Sequence, residues 1–429
     1  MSARNALYLQ SGGMTAVINA SACGVIETAR RYPASIGRVL AARHGTLGLL
    51  REELFDTDGL GRGELIGMRQ TPGGVFGSCR FDLDEPDANP EQYRRLLAVF
   101  EAHDIGFLFL NGGNGSMQTA LQIARAAKAH GRPLQVIGIP KTVDNDIVEA
   151  DCCPGYGSAI KYLASSVREA SIDMASMSSR RGRVFVIEVM GRNAGWLAAG
   201  CGLAADGPDA APQLILLPEV AFDGEAFGSK LNQCVERIGW CTVVVAEGVR
   251  HADGTPLAQV SREGHYVQLG GAGAVVARLV QERFGFKVHC AVTDYLQRSA
   301  RHLASATDDA QAYAVGAAAV EAAVAGADGV TMAVERVSSS PYCWRVGAVP
   351  LVRVANLERR LPEAFIRADG LHVTGEFVDW ARPLVAGEAL PAFIDGLPRY
   401  WSPRLPLLPA KLPAHEPRPP AAATRKPVG

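Results

Sequence analysis

Short apolar runs alternate with amphipathic stretches along most of the chain. Ala6–Leu9, Arg38–Ala42, Phe107–Leu110, Leu134–Ile139, Arg183–Val189, Leu214–Leu217 and Cys241–Ala246 are brief and bounded by polar residues or glycine. That pattern predicts buried strands. Between them, apolar positions recur at helical spacing. Ile18, Ala22, Val25 and Ile26 mark a helix over Thr15–Arg31, and Tyr93, Leu96, Leu97 and Phe100 mark another over Pro90–His103. Further helices are predicted over Met117–Ala129, with Ser116 as N-cap, and over Ser158–Ser178, Ala194–Leu203 and Ala310–Ala325. Strand and helix in strict alternation imply α/β architecture with parallel, doubly wound sheets.

Composition narrows the class. A chain of 429 residues exceeds one ordinary core, so two domains are expected. The formal net charge of -1 argues against a nucleic-acid or membrane-surface partner, each of which needs a basic excess. No apolar run is long enough for a membrane span, and the N-terminus lacks the apolar core of a signal peptide. Nine cysteines without C-x-x-C spacing suit buried thiols in a reduced, cytoplasmic protein. From Pro403 onward eight of 27 residues are proline, which predicts an extended or disordered tail.

The candidate chemistry lies where strands end. Pro140 closes the run Leu134–Ile139, and Lys141, Thr142, Asp144 and Asp146 crowd the turn beyond it. One cation and two carboxylates at a strand's carboxyl end suit phosphoryl transfer: Lys141 for phosphate charge, one aspartate as base, the other near a metal. Two glycine loops, Ser11-Gly12-Gly13 and Gly112-Gly113-Asn114-Gly115-Ser116, each follow a strand and open a helix, the arrangement that aims free N–H groups at a phosphate. Thr71–Arg80 reads as a loop with Arg80 as an anion contact. Charged residues follow the later strands closely: Arg192, Glu219, Glu247 and Arg250. Glu188, inside its strand, reads as structural. Gly270–Val276 lacks the third glycine of a dinucleotide fingerprint and reads as a tight loop and helix start.

Together these pieces resemble the phosphofructokinase family, in family order over roughly residues 9 to 300; Pro140-Lys141-Thr142-Val143-Asp144-Asn145-Asp146 with the downstream Met190-Gly191-Arg192 is its most specific signature. The resemblance implies two Rossmann-like domains and transfer of a phosphoryl group to the 1-hydroxyl of fructose 6-phosphate, a glycolytic step. Residues 1–145 with about 299–350 would form the donor domain and 146–298 the sugar-phosphate domain, followed by an extension over 351–402 and the tail 403–429. It implies Asp144 as catalytic base, aided by Lys141 and Arg192. Gly12, Gly115 and Arg80 would bind the donor. Thr142, Val143, Asp144, Met190, Gly191, Arg192, Glu247, Tyr295, Leu296, Gln297 and Arg298 would bind the sugar phosphate, with Arg183 reaching across from a neighbouring subunit of a homodimer or homotetramer. Asn114 and Asp146 would hold Mg²⁺.

The chain departs from the family pattern at Asn114, where many members have an aspartate, at His289, where many have an arginine that Lys287 could replace, and at Met14–Val17. Lys141 points to pyrophosphate as donor, because ATP users commonly have glycine there; Gly115, where many pyrophosphate users have aspartate, points the other way. Lys141 is given the greater weight. The alternatives are an ATP-dependent member and a non-catalytic sugar-phosphate binder.

Overall fold

The computed structural model describes residues 3–178, 182–263, 266–402 and 405–417. Its main strands, in chain order, are β1 (Arg4–Gln10), β2 (Ile36–Ala42), β3 (Leu54–Asp56), β4 (Ile105–Gly112), β5 (Gln135–Pro140), β6 (Arg183–Val189), β7 (Leu214–Leu216), β8 (Trp240–Ala246), β9 (Gln259–Glu263), β10 (Tyr266–Leu269), β11 (Lys287–Val292), β12 (Val330–Ser339) and β13 (Tyr342–Pro350). Seven build a large sheet in the order β13-β12-β5-β4-β1-β2-β3, and four build a smaller one in the order β11-β6-β8-β7. The smaller sheet is parallel throughout. The larger is parallel from β2 to β12, but β3 and β13 run antiparallel at its two edges. Purely parallel sheets were expected. The β12–β13 edge is a hairpin, and the β2–β3 link, through the short helix Gly45–Arg51, turns the chain back antiparallel rather than carrying it across the sheet.

Burial follows from the pleat. Leu7 and Leu9 of β1 face one core with Leu40, Leu108, Leu110 and Val136. Ala6 and Tyr8 face the other with Val39, Phe107, Phe109 and Ile137. This second core continues without a break into Val184, Val186, Val243 and Val245 of the smaller sheet. All eight positions of β4 are buried, as a central strand covered on both faces requires. The edge strand β11 is the contrast, with Lys287, His289, Cys290 and Val292 all exposed.

Strand order reverses between β1 and β4, since β2 lies on one side of β1 and β4 on the other. Their carboxyl ends carry the two glycine loops, tied together by the Ser11 amide donating to the Asn111 carbonyl at 2.9 Å. The crevice at this switch point is where such sheets bind ligands. Three helices begin earlier than their sequence pattern indicated: Tyr156–Ser176 by two residues, and two others by more. One spans Asn114–Ala129 with Gly113 in extended conformation as its N-cap, so Ser116 lies within the first turn. The other spans Ala306–Val324, capped by the Ser305 side chain accepting from the Asp308 amide.

Residues 405–417 of the proline-rich tail are extended and laid against the large sheet. Leu407 bridges Phe55, the Leu408 amide donates to the Leu54 carbonyl at 2.8 Å, and Leu408 and Leu412 pack on the core. Glu52, with a fully buried side chain, accepts from the amides of Lys411 at 2.7 Å and Leu412 at 3.1 Å and lies 2.7 Å from His103 Nε2. Burial alone would raise the Glu52 pKa; the two amides and His103 hold it below the ordinary value. Prolines at 406, 409 and 413 forbid a helix but leave the N–H groups at 408, 411 and 412 free to donate. The rest of the tail, with residues 403–404, lies outside the described residues. Truncation after Ser402 is expected to leave kcat/KM within about threefold. It should cost roughly 1–3 kcal/mol through the stranded Glu52 carboxylate, read as a fall of about 2–4 °C in melting temperature. An unchanged melting curve would rule out this anchoring.

Candidate active site

Lys141 leaves β5 just after Pro140 and is only 3% exposed. Its Nζ donates to the carbonyls of Ser11, at 2.9 Å, and Gly13 in the first glycine loop. Gly12 has φ 77, a left-handed conformation that favours glycine, while a Cβ there would lie in ordinary contact with Nζ at 3.5 Å. Burial pulls the Lys141 pKa down to about 8; Asp144 and Asp146 oppose that fall, and Arg298 and Arg80 add to it.

Asp144 and Asp146 leave the same turn, with Asn145 between them at φ 53. The Asp144 amide donates to Thr142 Oγ1 at 3.0 Å, which fixes the turn locally. Asp144 is half-buried, and burial, then the Glu247 carboxylate, raises its pKa to about 6 against the pull of Lys141. Asp146 is pushed up to about 7 by burial, then by Asp144 and Glu358. Such perturbation by burial and a specific charge partner is a mark of functional groups. Val143 points into the core and offers the crevice only its backbone.

Asn114 Nδ2 donates to Asp146 Oδ2 at 2.8 Å, while Asn114 Oδ1 and Asp146 Oδ1 are buried without a hydrogen-bond partner. Two orphaned oxygen acceptors, one a carboxylate, form a donor set that fits Mg²⁺, which takes one or two protein oxygens and completes its shell with water and phosphate. Among the described residues no group of three His, Cys, Asp or Glu could hold a metal by itself.

The opposite wall comes from the smaller sheet. The Gly191 carbonyl accepts from the Gly248 amide at 3.1 Å, and the Met190 amide donates to Gln297 Oε1 at 3.3 Å. Those bonds join the ends of β6 and β8 to the short helix Leu296–Ser299. Gly248 is required for this join, since a Cβ there would fall 2.0 Å from the Arg192 carbonyl. Glu247 has its pKa raised by burial and is opposed by the Gly191 amide and by Arg192. Arg298 lies with its guanidinium 3.9 Å from the Tyr295 ring centre, and its Nη1 is 3.2 Å from the Cβ position on Gly13. A residue of the second wall thus reaches the first glycine loop. Gly115 lies in the first turn of its helix, and the carboxylate of Asp82 is 3.5 Å from its Cβ position.

Lys141, Thr142, Asp144, Asp146, Asn114, Gly12, Arg80, Met190–Arg192, Glu247, Gln297 and Arg298 therefore converge on one crevice. Tyr295 and Leu296 are 62% and 60% exposed beside β11. Arg183 starts β6, at the opposite end of that strand from Met190, and the single chain does not bring it to the crevice. Sequence reasoning placed two charged residues at the carboxyl edges that the structure uses otherwise. Glu219 accepts the amides of Gly195 and Leu361, and Arg250 approaches Asn193. Glu188 is structural as read, accepting the amides of Gly271 and Gly273 where the helix Ala272–Phe284 begins. Glu358 was missed altogether: it acts on both aspartates and accepts from Asn193 Nδ2 at 3.0 Å. Its only sequence signal is the charged triplet Glu358-Arg359-Arg360 in an otherwise featureless extension.

The family model for phosphofructokinase matches residues 5–323. The chain is 51% identical over 403 residues to a pyrophosphate--fructose 6-phosphate 1-phosphotransferase of Methylococcus capsulatus, covering 93% of this chain and 96% of that one. Against the protein of the same name from Xanthomonas campestris the identity is 51% over 417 residues, covering 96% and 99%. The crystal structure of pyrophosphate-dependent phosphofructokinase from Nitrosospira multiformis is 47% identical and superposes with a TM-score of 0.90, covering 96% of this chain and all of that one. The glycine loops, the paired aspartates and the Met190–Arg192 wall lie within the matched span, and the chain belongs to the phosphofructokinase family.

Proposed function

We propose that the chain transfers a phosphoryl group from pyrophosphate to the 1-hydroxyl of fructose 6-phosphate, giving fructose 1,6-bisphosphate and orthophosphate, and runs the same reaction in reverse. The observation that carries this reading is the buried Lys141 ammonium seated beneath the first glycine loop with Asp144 three residues on. The names of the relatives support the donor and the sugar.

In the forward direction the sugar's 1-oxygen attacks the terminal phosphorus of pyrophosphate. The bond from that phosphorus to the bridging oxygen breaks, and orthophosphate leaves. Asp144 takes the hydroxyl proton; with a pKa near 6 it is ionised at neutral pH yet basic enough to accept it. Lys141 and Arg298 place positive charge where the transferring group becomes most negative. Arg192 and Glu247 hold the sugar, and Asn114 and Asp146 would hold Mg²⁺, which would neutralise phosphate charge. Asp82 places a carboxylate oxygen 3.5 Å from the Cβ position of Gly115, beside the second glycine loop. We assign residues 1–145 and about 299–350 to the donor side and 146–298 to the sugar side, in keeping with the membership of the two sheets.

The partner we propose is a second copy of the chain. The exposed edge β11, with Val292, Tyr295 and Leu296 beside it, is the surface that copy would cover, bringing its Arg183 to the sugar phosphate. No helix among the described residues is long and apolar enough to cross a membrane. The substrates, both phosphorylated and water-soluble, suit the cytoplasm. The deciding assay is fructose 1,6-bisphosphate formation with Mg²⁺ and either pyrophosphate or ATP as sole donor. Turnover with pyrophosphate at least ~10²-fold above that with ATP is expected. Turnover with ATP alone would overturn the donor assignment and leave the sugar assignment standing.

A further inference from the structure

Residues 358–361 lie outside the span matched by the family model and carry no motif, yet they fasten the catalytic turn to the opposite wall. The Arg359 guanidinium donates to the Asn145 carbonyl through Nε at 3.2 Å and Nη2 at 3.0 Å, and through Nη1 to the carbonyls of Ala150 and, at 3.0 Å, Asp151. Its backbone amide donates to the Asp146 carbonyl at 2.7 Å. One residue therefore satisfies four main-chain acceptors of the segment 145–151. On its other side the guanidinium lies 4.6 Å from the Trp196 ring centre, and the Trp196 indole N–H donates to the Arg359 carbonyl at 3.0 Å. The flanking residues complete the attachment. Glu358 accepts from Asn193, next to Arg192, and the Leu361 amide shares Glu219 with the Gly195 amide.

The turn needs such a hold. Asn145 sits at φ 53, in the left-handed region, which asparagine adopts at lower cost than other residues with side chains but which still has to be held in one geometry for Asp144 to be placed. Its own side chain fixes one end by accepting from the Cys153 amide at 2.9 Å, and nothing within the turn constrains the carbonyl that Arg359 grips. A lysine could not replace the fork, since one ammonium cannot reach three carbonyls in a plane.

We propose that Arg359 is a positioning residue, holding the turn that bears Asp144 in register with the Met190–Trp196 wall so that base and sugar meet at reacting distance. The proposal rests on Asp144 being the base. Displacement of a reacting group by about an ångström lowers turnover without weakening binding. Arg359→Ala is expected to lower kcat by roughly 10–10²-fold, with KM for fructose 6-phosphate and for pyrophosphate within about threefold. Arg359→Lys is expected to restore little. Guanidinium at millimolar concentration, set against an equal concentration of sodium chloride, is expected to raise the Arg359→Ala rate several-fold and to do nothing for Asp144→Asn.

Amide hydrogen exchange over residues 144–151, measured in the same full-length variants, supplies a readout independent of turnover and is expected to quicken in Arg359→Ala. Folded Arg359→Ala or Arg359→Lys with normal kcat overturns the proposal. So does an activity loss in Arg359→Ala that only matches its unfolded fraction by circular dichroism, with no response to guanidinium. Normal turnover in Asp144→Asn would instead overturn the assignment of the base, while quickened exchange in Arg359→Ala would still report the hold on the turn.

Discussion

Asp144→Asn is expected to lower kcat for fructose 1,6-bisphosphate formation by at least ~10², with KM for the sugar phosphate changed by no more than about threefold. The amide keeps the shape and the hydrogen bond from its own backbone to Thr142 but cannot take the proton. In the parent protein the rate should fall about tenfold per pH unit below about 6, where Asp144 becomes protonated, and the variant should lose that limb. Stability should move the other way. A carboxyl whose pKa is raised by folding contributes stability that is complete below its unfolded value, near 4, and is lost as pH rises through 6. At pH 8 without ligands the asparagine variant is therefore expected to melt about 2 °C higher, the trade of stability for function common in active sites. Mixing it with Arg183→Ala subunits should restore activity, because a shared site then regains one intact copy. Near-normal turnover of the variant alone would remove Asp144 from the mechanism, and a fully active monomer would remove the shared site.

Lys141→Met is expected to abolish pyrophosphate-dependent turnover in both directions, by ~10² or more, since the charge beneath the transferring phosphate disappears while the stem still fills its channel. Burial holds the Lys141 pKa near 8, so the rate of the parent should fall as pH rises through 8. With the acid limb this gives a bell centred near neutrality. The stability sign is opposite to that of Asp144. A lysine whose pKa is depressed by folding contributes stability present above its unfolded pKa and lost as pH falls through about 8. The methionine variant should thus be more stable than the parent at pH 7. Retained pyrophosphate turnover in a folded variant would mean that Arg298 and Arg80 suffice.

What the chain disclosed in advance was local. Four consecutive apolar residues at Phe107–Leu110 and the proline closing Leu134–Ile139 are enough to specify β4 and β5, because a strand buried on both faces has no polar positions to offer. The turn at 141–146 was legible for the opposite reason, as charge where a core pattern stops. Position was missed wherever the partner is remote in sequence. Glu52 reads as an ordinary surface glutamate until the amides of residues 411 and 412 arrive from the far end of the chain. Arg359 reads as one basic residue among several until the carbonyls of residues 145, 150 and 151 close around it. Main-chain acceptors have no sequence signature, so a side chain that serves them cannot be found by motif. The edge strand β13 was unassigned because it needs only one buried neighbour, and its composition, Tyr342-Cys343-Trp344-Arg345-Val346, mixes polar with apolar positions.

The bare edge β11 also bears on how the polypeptide survives its own synthesis. A strand open on one side, with Val292 exposed on it and Tyr295 and Leu296 exposed nearby, is a template for any extended segment that drifts past while the chain is being made. Lys287, exposed on that edge, acts as a gatekeeper, since charge on an edge discourages indiscriminate strand addition. A substitution that removes the Lys287 charge would therefore surface first as lost yield, the chain collecting in inclusion bodies, well before any change in the turnover of the molecules that escape.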